Sequence, residues 1–191
     1  MFDICHWINE PETWLAEPAR LRVITDRHSD FWRLTHDGAE RDSGHFFGAR
    51  VHSGFTAQLR VAARCKNQGD HAGIMVRIDE HHWLRAGIGY FDDTPQLLSV
   101  LTQGRSDLAL GAPLGDHEEL WLRVTLSQGT LRVQASLDGQ RWPLLRLASL
   151  PVAAEYRVGP VCGTPERGGM EVAFSDFSLQ APLQRGLADL S

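Results

Sequence analysis

The alternation of apolar and polar residues between Asp70 and Thr102 predicts three successive β-strands. Neighbouring side chains of a strand point to opposite faces of its sheet, so each of these strands has one apolar face and one more polar face. If the apolar faces are all directed towards the core, the remaining side chains meet on one outer surface. This surface is predicted to carry Arg77, Asp79, Trp83, Arg85 and Ser99.

Two interpretations of this polar surface are open. A tryptophan ring can stack on a sugar, and two guanidinium groups can donate paired hydrogen bonds to a polar or anionic ligand. Alternatively, the charges form ordinary cross-strand pairs on an outer sheet face, each worth about 0.2–1 kcal/mol. Periodicity alone favours the second interpretation. In the third strand it also assigns Val100 and Thr102 to the core face, opposite Ser99.

Strand-like runs extend over almost the whole chain. About eleven of them recur at the regular spacing that is typical of a sandwich or barrel, and no segment keeps a 3.6-residue apolar period over several turns. Short polar turns join several runs: residues 21–27 and 31–37 indicate a hairpin, and Gln128-Gly129 indicates another. The pattern predicts one all-β, mostly antiparallel domain over residues 1–182, followed by a C-terminal tail over residues 183–191.

The composition of the chain narrows the possible functions. The net charge is −5 and the 19 lysine and arginine residues are scattered, so no basic patch for nucleic acid is indicated. No stretch approaches the ~20 apolar residues of a membrane span, and the first residues lack the basic and apolar regions of a secretory signal. The three cysteines have no short spacing, which favours free thiols in a reducing compartment. We therefore expect a cytoplasmic protein that binds neither nucleic acid nor membranes.

Catalytic and metal-binding motifs are not visible in the sequence. His81 and His82 are adjacent and would point to opposite faces of a strand, and no HxH or HExxH spacing occurs. Adjacent acidic residues occupy positions 79–80 and 92–93, where turns explain them, so no facing carboxylate pair of a glycosidase is found. A nucleophile elbow, a P-loop and a GxGxxG motif after a strand are also missing. The sequence therefore predicts no metal, no cofactor and no catalytic residue.

Six longer motifs form a pattern that spans about residues 5–180. They are WINEPETW at 7–14, SDFWRLT at 29–35, DHAGIMVRIDEHHWLRAGIGY at 70–90, LLSVLTQGRSD at 97–107, SLDGQRW at 136–142 and VGPVCGTPERGGMEVAFSDFSL at 158–179. In this order they resemble a bacterial and fungal domain family of unknown function that is named for its likeness to the yeast regulator of enolase. The resemblance implies a concanavalin A-like jelly-roll β-sandwich of two antiparallel sheets, as in related lectins and glucanases, with ligands bound in a concave groove.

The resemblance also implies which residues line that groove. The positions that match the family pattern are Asp70, Ala72, Gly73, Trp83, Gly87, Ser99, Thr102, Ser106 and Asp107. The chain departs from the pattern at four positions, with His71 for glutamine, Arg85 for lysine, Gly89 for glutamate and Leu108 for tryptophan. Without the carboxylate at Gly89, an acid, base or ligand anchor of relatives would have no counterpart here, which favours binding over turnover. Arg85 keeps the positive charge but presents a planar fork, so the ligand geometry should differ.

These observations lead to one principal hypothesis and two alternatives. The chain is predicted to be a non-catalytic module that binds a small polar or carbohydrate-like ligand in the groove. The alternatives are a protein–protein regulatory module that acts on a metabolic enzyme, and a weak sugar-active hydrolase or isomerase. The ligand, the partner and the oligomeric state are left open by the sequence. The predicted ligand-binding residues are Asp70, Arg77, Asp79, Trp83, Arg85, Ser99, Thr102 and Asp107.

Overall fold

The computed structural model describes residues 1–191 and consists almost entirely of β-strands. A short 3-10 helix, Phe2–Ile4, precedes them. The strands are β1 (Cys5–Ile8), β2 (Thr13–Glu17), β3 (Arg20–Ile24), β4 (Phe31–Arg33), β5 (Glu40–Asp42), β6 (His45–Val51), β7 (Phe55–Ala63), β8 (His71–Arg77), β9 (His82–Phe91), β10 (Thr94–Gln103), β11 (Arg105–Pro113), β12 (Glu119–Ser127), β13 (Thr130–Ser136), β14 (Leu144–Ser149), β15 (Tyr156–Gly163) and β16 (Glu171–Gln180). The chain contains no helix of the length and apolarity that a membrane crossing requires.

Two sheets of seven strands each pack face to face. The first sheet has the strand order β1-β6-β15-β8-β9-β10-β11, and the second has the order β14-β13-β12-β7-β16-β3-β2. The strand pairs within both sheets are antiparallel. The predicted all-β class and the jelly-roll β-sandwich are therefore confirmed.

The main core lies between the two sheets and follows from the period-2 pattern of the strands. In β7 the alternate residues Phe55, Ala57, Leu59, Val61 and Ala63 are buried, and all belong to one core cluster of 34 residues. Burying a valine, leucine or phenylalanine side chain contributes roughly 1.5–3 kcal/mol. The repeated apolar face of each strand is therefore what holds the sandwich together.

Tight turns fix the register of two strand pairs. Asp92 and Asp93 have φ values of 50° and 57°, and Gln128 and Gly129 have φ values of 50° and 75°. A positive φ at both central residues is typical of the type I′ turn, whose twist matches that of the flanking strands. β9 and β10 are thus joined by a two-residue turn, as are β12 and β13. The prediction that the adjacent acidic residues 92–93 belong to a turn is confirmed.

A second, smaller apolar cluster lies on the outer face of the first sheet. It contains Phe31, Phe46, Met75, Trp83, Leu98, Val100 and Val161. Residues 25–44, here called the arm, connect β3 of the second sheet to β6 of the first and run across this face. The arm includes β4 and β5, which pair only with each other. The predicted hairpin between residues 21–27 and 31–37 is therefore wrong, because β3 pairs with β2 and β16 instead.

The residues after β16 lie against the outer face of the second sheet. Arg132 of β13 donates hydrogen bonds to the carbonyl oxygens of Arg185 (3.1 Å) and Asp189 (3.0 Å). The amide of Trp142 donates to the carbonyl oxygen of Leu190 over 2.8 Å. The division into a domain over residues 1–182 and a tail over residues 183–191 stays a prediction.

Candidate functional site

Several of the predicted ligand-binding residues share the outer face of the first sheet. The register of β8, β9 and β10 places Arg77 opposite Trp83 and Trp83 opposite Thr102. Arg85 lies two residues from Trp83 along β9, so its side chain is on the same face. The structure thus brings Arg77, Trp83, Arg85 and Thr102 together on one surface, in the central strands of the sheet.

Ser99 and Asp107 lie on the opposite face, so the predicted position of Ser99 beside Trp83 is wrong. Ser99 pairs with Ala86, whose side chain belongs to the main core. Its Oγ accepts a hydrogen bond from Nη1 of Arg146 (3.2 Å), and Nη2 of Arg146 lies 3.1 Å from the carboxylate of Asp107. β10 carries apolar residues at both alternate positions, so its sequence could not assign the faces, and the turn before it decides the register.

Thr102 and Asp79 also differ from their predicted positions. Thr102, which the alternation assigned to the core face, is buried on the outer face, and its Oγ1 lies 2.8 Å from Oγ of Ser106. Asp79 follows the end of β8 and belongs to the turn that leads to β9. Its carboxylate accepts hydrogen bonds from the amides of His81 and His82, each 2.8 Å long. Asp79 therefore orders a turn and does not lie on the polar surface.

The tryptophan of the predicted groove is buried. Trp83 is 1% exposed, and its ring meets that of Phe31 in the arm edge-on, with 6.0 Å between ring centroids. The prediction of an open groove at this position is wrong, because the arm packs on the face and Leu98 and Val100 of β10 point to the same side. A ligand therefore cannot stack on Trp83 in this conformation.

The arm supplies a carboxylate partner to Arg77 and another to Arg85. Arg77 donates from Nη1 and Nη2 to the two carboxylate oxygens of Asp42, over 2.5 and 2.9 Å. Nη2 of Arg85 lies 3.6 Å from the carboxylate of Asp30. Burial raises the pKa of Asp30, and the neighbouring Arg85 charge opposes that rise. The sequence indicates neither carboxylate as part of the site, because no local pattern shows which sheet face an irregular connection covers.

Arg85 and His71 present unpaired polar atoms on the covered face. Arg85 is 5% exposed, and its Nε and Nη1 have no hydrogen-bond partner. Nδ1 of His71 lies 2.9 Å from the carbonyl oxygen of Gly69, which only accepts, so Nδ1 carries the proton and the unpaired Nε2 is an acceptor. Burial lowers the pKa of His71 well below its usual value, and the Arg85 charge acts in the same direction. Two donors of one side chain and one acceptor of the other are therefore left without partners.

The same two side chains line a recess in the sheet that is too narrow to hold a water molecule. Its other lining residues are Ala72, Gly73, Ala86, Gly87, Ile88, Leu98 and Val161. Gly73 and Gly87 pair with each other, and a Cβ on either would collide with the backbone of the neighbouring strand. A Cβ at Gly89 would collide with a methyl group of Leu98. The recess thus has a floor of bare backbone, and a leucine side chain takes the space beside the position where the family pattern has glutamate.

Asp70 is the remaining predicted residue, and it is fully buried. Its Oδ2 accepts hydrogen bonds from the amides of Lys66 and Asn67, both 3.0 Å long, and from Nη2 of Arg167 at 2.7 Å. Its Oδ1 has no partner. Asp70 therefore orders the loop before β8 and keeps one free acceptor directly before His71.

Metal ligands and reactive thiols are not brought together by the fold. No group of three or more His, Cys, Asp or Glu residues lies close enough to hold a metal ion. The cysteines are buried and form no disulfide. Burial raises the pKa of Cys5 and of Cys65 to about 12, and it raises the pKa of Cys162 further. These groups therefore stay in the unreactive thiol form.

Comparison with known proteins identifies close relatives over nearly the whole chain. The family described as "Protein of unknown function (DUF1349)" matches residues 7–182. A Saccharomyces cerevisiae protein named "Regulation of enolase protein 1" is 49% identical over 185 residues, which cover 97% of this chain and 93% of that protein. The crystal structure of a functionally unknown protein from the same yeast has a TM-score of 0.93 at 48% identity, covering 95% of this chain and 98% of that one.

More distant structures share the fold. The GH43 protein BlXynB from Bacillus licheniformis, as a K247S mutant, has a TM-score of 0.70 at 16% identity, covering 93% of this chain and 37% of that one. The carbohydrate binding module CBM66 from Bacillus subtilis has a TM-score of 0.54 at 13% identity, covering 92% and 95%. At such identities the likeness concerns the β-sandwich and not its ligands.

Proposed function

Because the chain belongs to the DUF1349 family of proteins of unknown function, we propose a function from the site itself. The protein is a non-catalytic binding module that holds a small polar, carbohydrate-like ligand on the covered face of the first sheet. Arg85 donates to the ligand and His71 accepts from it, while Asp70 orients the adjoining loop. The observation that supports this proposal is that two nitrogen donors of buried Arg85, Nε and Nη1, have no hydrogen-bond partner.

The energetic argument concerns the unpaired atoms. A buried donor or acceptor without a partner costs roughly 1–3 kcal/mol, and more when it is charged. A ligand that accepts hydrogen bonds from Nε and Nη1 of Arg85 recovers this free energy on binding. The N–H groups of Nε and Nη1 point to different sides of the guanidinium, so each suits a separate oxygen of a carboxylate, a phosphate or a polyhydroxylated ligand. Nε2 of His71 then accepts from a ligand hydroxyl. The chemistry favours a hydroxylated ligand with a negative group.

The arm takes part in this proposal as the cover of the site. Asp30 already offers a carboxylate to Arg85, and Leu98 lines the recess that the ligand must enter. Binding therefore requires the Leu98 side chain to move out of the recess, and the arm to shift so that Asp30 moves from Arg85. Arg77 and Trp83 do not contact the ligand in this proposal, and they hold the arm in place through Asp42 and Phe31. The other predicted residues also make no ligand contact; they are Asp79, Ser99, Thr102 and Asp107.

A thermal-shift screen tests the small-ligand proposal. The panel contains neutral sugars, sugar acids and sugar phosphates, at concentrations up to about 100 times the dissociation constant of each hit. Such a ligand adds about 2.7 kcal/mol of stability, which raises the Tm by roughly 5–10 °C in a chain of this size. Arg85→Met should abolish the shift, whereas Arg105→Met, which changes an exposed arginine of the same sheet, should leave it intact.

The outcomes of the screen are distinguishable. If no compound raises the Tm of the wild-type protein, or if a hit shifts Arg85→Met as much as the wild type, the proposal is wrong. Far-ultraviolet circular dichroism of Arg85→Met shows whether the variant is folded, and Arg85→Lys provides a second variant that keeps the charge.

We also infer a cytoplasmic location from the three free, buried cysteines.

A second candidate function rests on a different observation. The 49% identity to a yeast protein named for the regulation of enolase, over 97% of this chain, favours a regulatory module that contacts a metabolic enzyme. Biolayer interferometry with purified enolase tests it directly. Saturable binding together with a change in enolase activity supports this function, and no binding at about 100 µM enolase argues against it.

A further inference from the structure

The outer face of the second sheet carries an open depression on the side of the sandwich opposite Arg85. Its volume is about 750 Å³, and strands β2, β3, β16, β7 and β12 contribute its walls. The floor is formed by small residues, since Ala62 and Ala173 are neighbours across β7 and β16 and both face outwards. Unlike the first sheet, this part of the second sheet is covered by neither the arm nor the tail.

Positive charge without a partner is concentrated along this depression. Arg20, Arg22 and Lys66 line it, are exposed, and have no carboxylate within ion-pair distance. By contrast, Arg64 pairs with Glu118 at 2.6 Å, and Arg167 pairs with a buried carboxylate. The whole chain has a net charge of −5, so this local excess of cations does not follow from its composition. It leaves three cationic side chains free to bind anionic groups.

Exposed apolar side chains and a free strand edge adjoin these cations. Leu15 is 53% exposed and Ile24 is 39% exposed, on the neighbouring strands β2 and β3. β2 is the last strand of its sheet, so one edge of its backbone has no strand partner. β3 and β16 separate this edge strand from β7, which Lys66 follows, and neighbouring strands are about 4.8 Å apart, so a segment that contacts all three cations lies across the sheet face and not along the edge.

We propose that this surface docks an extended, acidic segment of a protein partner. The segment lies in the depression, its Asp or Glu side chains pair with Arg20, Arg22 and Lys66, and its apolar side chains cover Leu15 and Ile24. Electrostatic complementarity of this kind sets orientation and speeds association. The proposal is independent of the small-ligand site, which lies on the other sheet.

Two other occupants fit the charges less well. Nucleic acid would bring its phosphates next to Glu118, Glu119 and Glu171, which line the same depression, on a chain of negative net charge. In a twofold dimer, the same patch of both copies meets, so the unpaired arginines of one copy would approach those of the other. An acidic protein segment brings no cations to the surface and carries fewer, more widely spaced negative charges than nucleic acid, and Glu118 and Glu119 are already paired with Arg64 and Arg60.

The test measures fluorescence anisotropy of a labelled, acetylated and amidated octapeptide of alternating Asp and Val, with the full chain. We expect saturable binding that weakens as salt rises from about 50 to 300 mM, and no binding of the same peptide with Lys in place of Asp. The variant R20E/R22E should bind at least about tenfold more weakly. The matched control R50E/R105E makes the same charge change at exposed positions of the first sheet and should differ from wild type by less than about twofold.

Several outcomes would overturn the proposal. They are the absence of saturable binding at about 1 mM protein, equal binding of the Lys peptide, and equal losses in both double variants. A dimer mass in light scattering that R20E/R22E abolishes would assign the surface to a second copy of the chain instead. Because Arg20 and Arg22 are exposed, both double variants should fold, and their circular dichroism spectra check this.

Discussion

Asp42 of the arm accepts hydrogen bonds from both terminal nitrogens of Arg77, over 2.5 and 2.9 Å, although 35 residues separate the two in sequence. The Arg77 guanidinium also lies over the ring of Phe31, 5.6 Å from its centroid. The arm thus places the Phe31 ring against Trp83 and the Asp42 carboxylate against Arg77. A bound ligand would contact a tryptophan and an arginine with groups of the same kind. A surface that looks like a binding groove in the sequence is in this way covered by the chain itself.

Replacement of Asp42 tests how firmly the arm is held. In Asp42→Ala the buried guanidinium of Arg77 loses both partners, so we expect the free energy of unfolding to fall by about 1–3 kcal/mol. Urea denaturation measures the change. The control Glu40→Ala removes an exposed partner of Arg33 in the same arm and should cost less than about 1 kcal/mol. Equal effects in the two variants would contradict a specific role for the Asp42–Arg77 pair.

Trp83 should behave as a core residue. It lies in the cluster between the sheet and the arm, so Trp83→Ala should lower the free energy of unfolding by about 3–5 kcal/mol. Trp14, which is 36% exposed at the edge of the sandwich, provides the control, and Trp14→Ala should cost clearly less. Chemical denaturation distinguishes the two results. A loss below about 1 kcal/mol in Trp83→Ala would mean that the arm leaves this ring open to solvent.

The fold could be predicted from the sequence because its strands have a recognisable local pattern of apolar and polar residues. In β7 the apolar residues recur at every second position, and the buried apolar residues in the structure are the ones that the pattern predicts. The dipeptide Gln128-Gly129 likewise marks a turn with positive φ at both residues. Such signals need only neighbouring residues, and they suffice for an all-β sandwich. The jelly-roll assignment, in contrast, came from the family resemblance.

The site was predicted less well because its geometry depends on distant parts of the chain. The alternation predicts the wrong face for Ser99, since β10 has apolar residues at both alternate positions and its register is set by the turn at Asp92 and Asp93. The cover over Arg85 comes from Asp30 and its neighbours, whose sequence resembles an ordinary hairpin strand. No period within the arm indicates that it crosses from one sheet to the other.

Gly89 and Leu98 provide a test of how the recess is filled. A Cβ at Gly89 would collide with a methyl group of Leu98, so Gly89→Ala should lower the free energy of unfolding by about 1–3 kcal/mol. In a Leu98→Ala background the same substitution should cost clearly less, because the colliding methyl group is absent. A double-mutant cycle by urea denaturation measures this coupling. Gly186→Ala meets no neighbouring atom and serves as the neutral control. Additive effects of Gly89→Ala and Leu98→Ala would show that the two positions are not in contact.

His71 should make the stability of the protein depend on pH. Burial lowers its pKa in the folded state, whereas the unfolded chain takes up a proton near the usual value of 6.5. The unfolded state therefore binds more protons as the pH falls below 6.5, and the stability that is present above this pH is progressively lost. By pH 5 the loss from this residue should reach about 1–2 kcal/mol.

His71→Gln, which restores the residue of the family pattern, removes the titrating group and should flatten the curve of stability against pH between pH 7 and pH 5. Urea denaturation at several pH values compares it with the wild type and with His52→Gln, an exposed control that should keep the wild-type slope. If His71→Gln loses stability as steeply as the wild type, His71 is not the buried neutral group described here, and its free Nε2 is not available to a ligand.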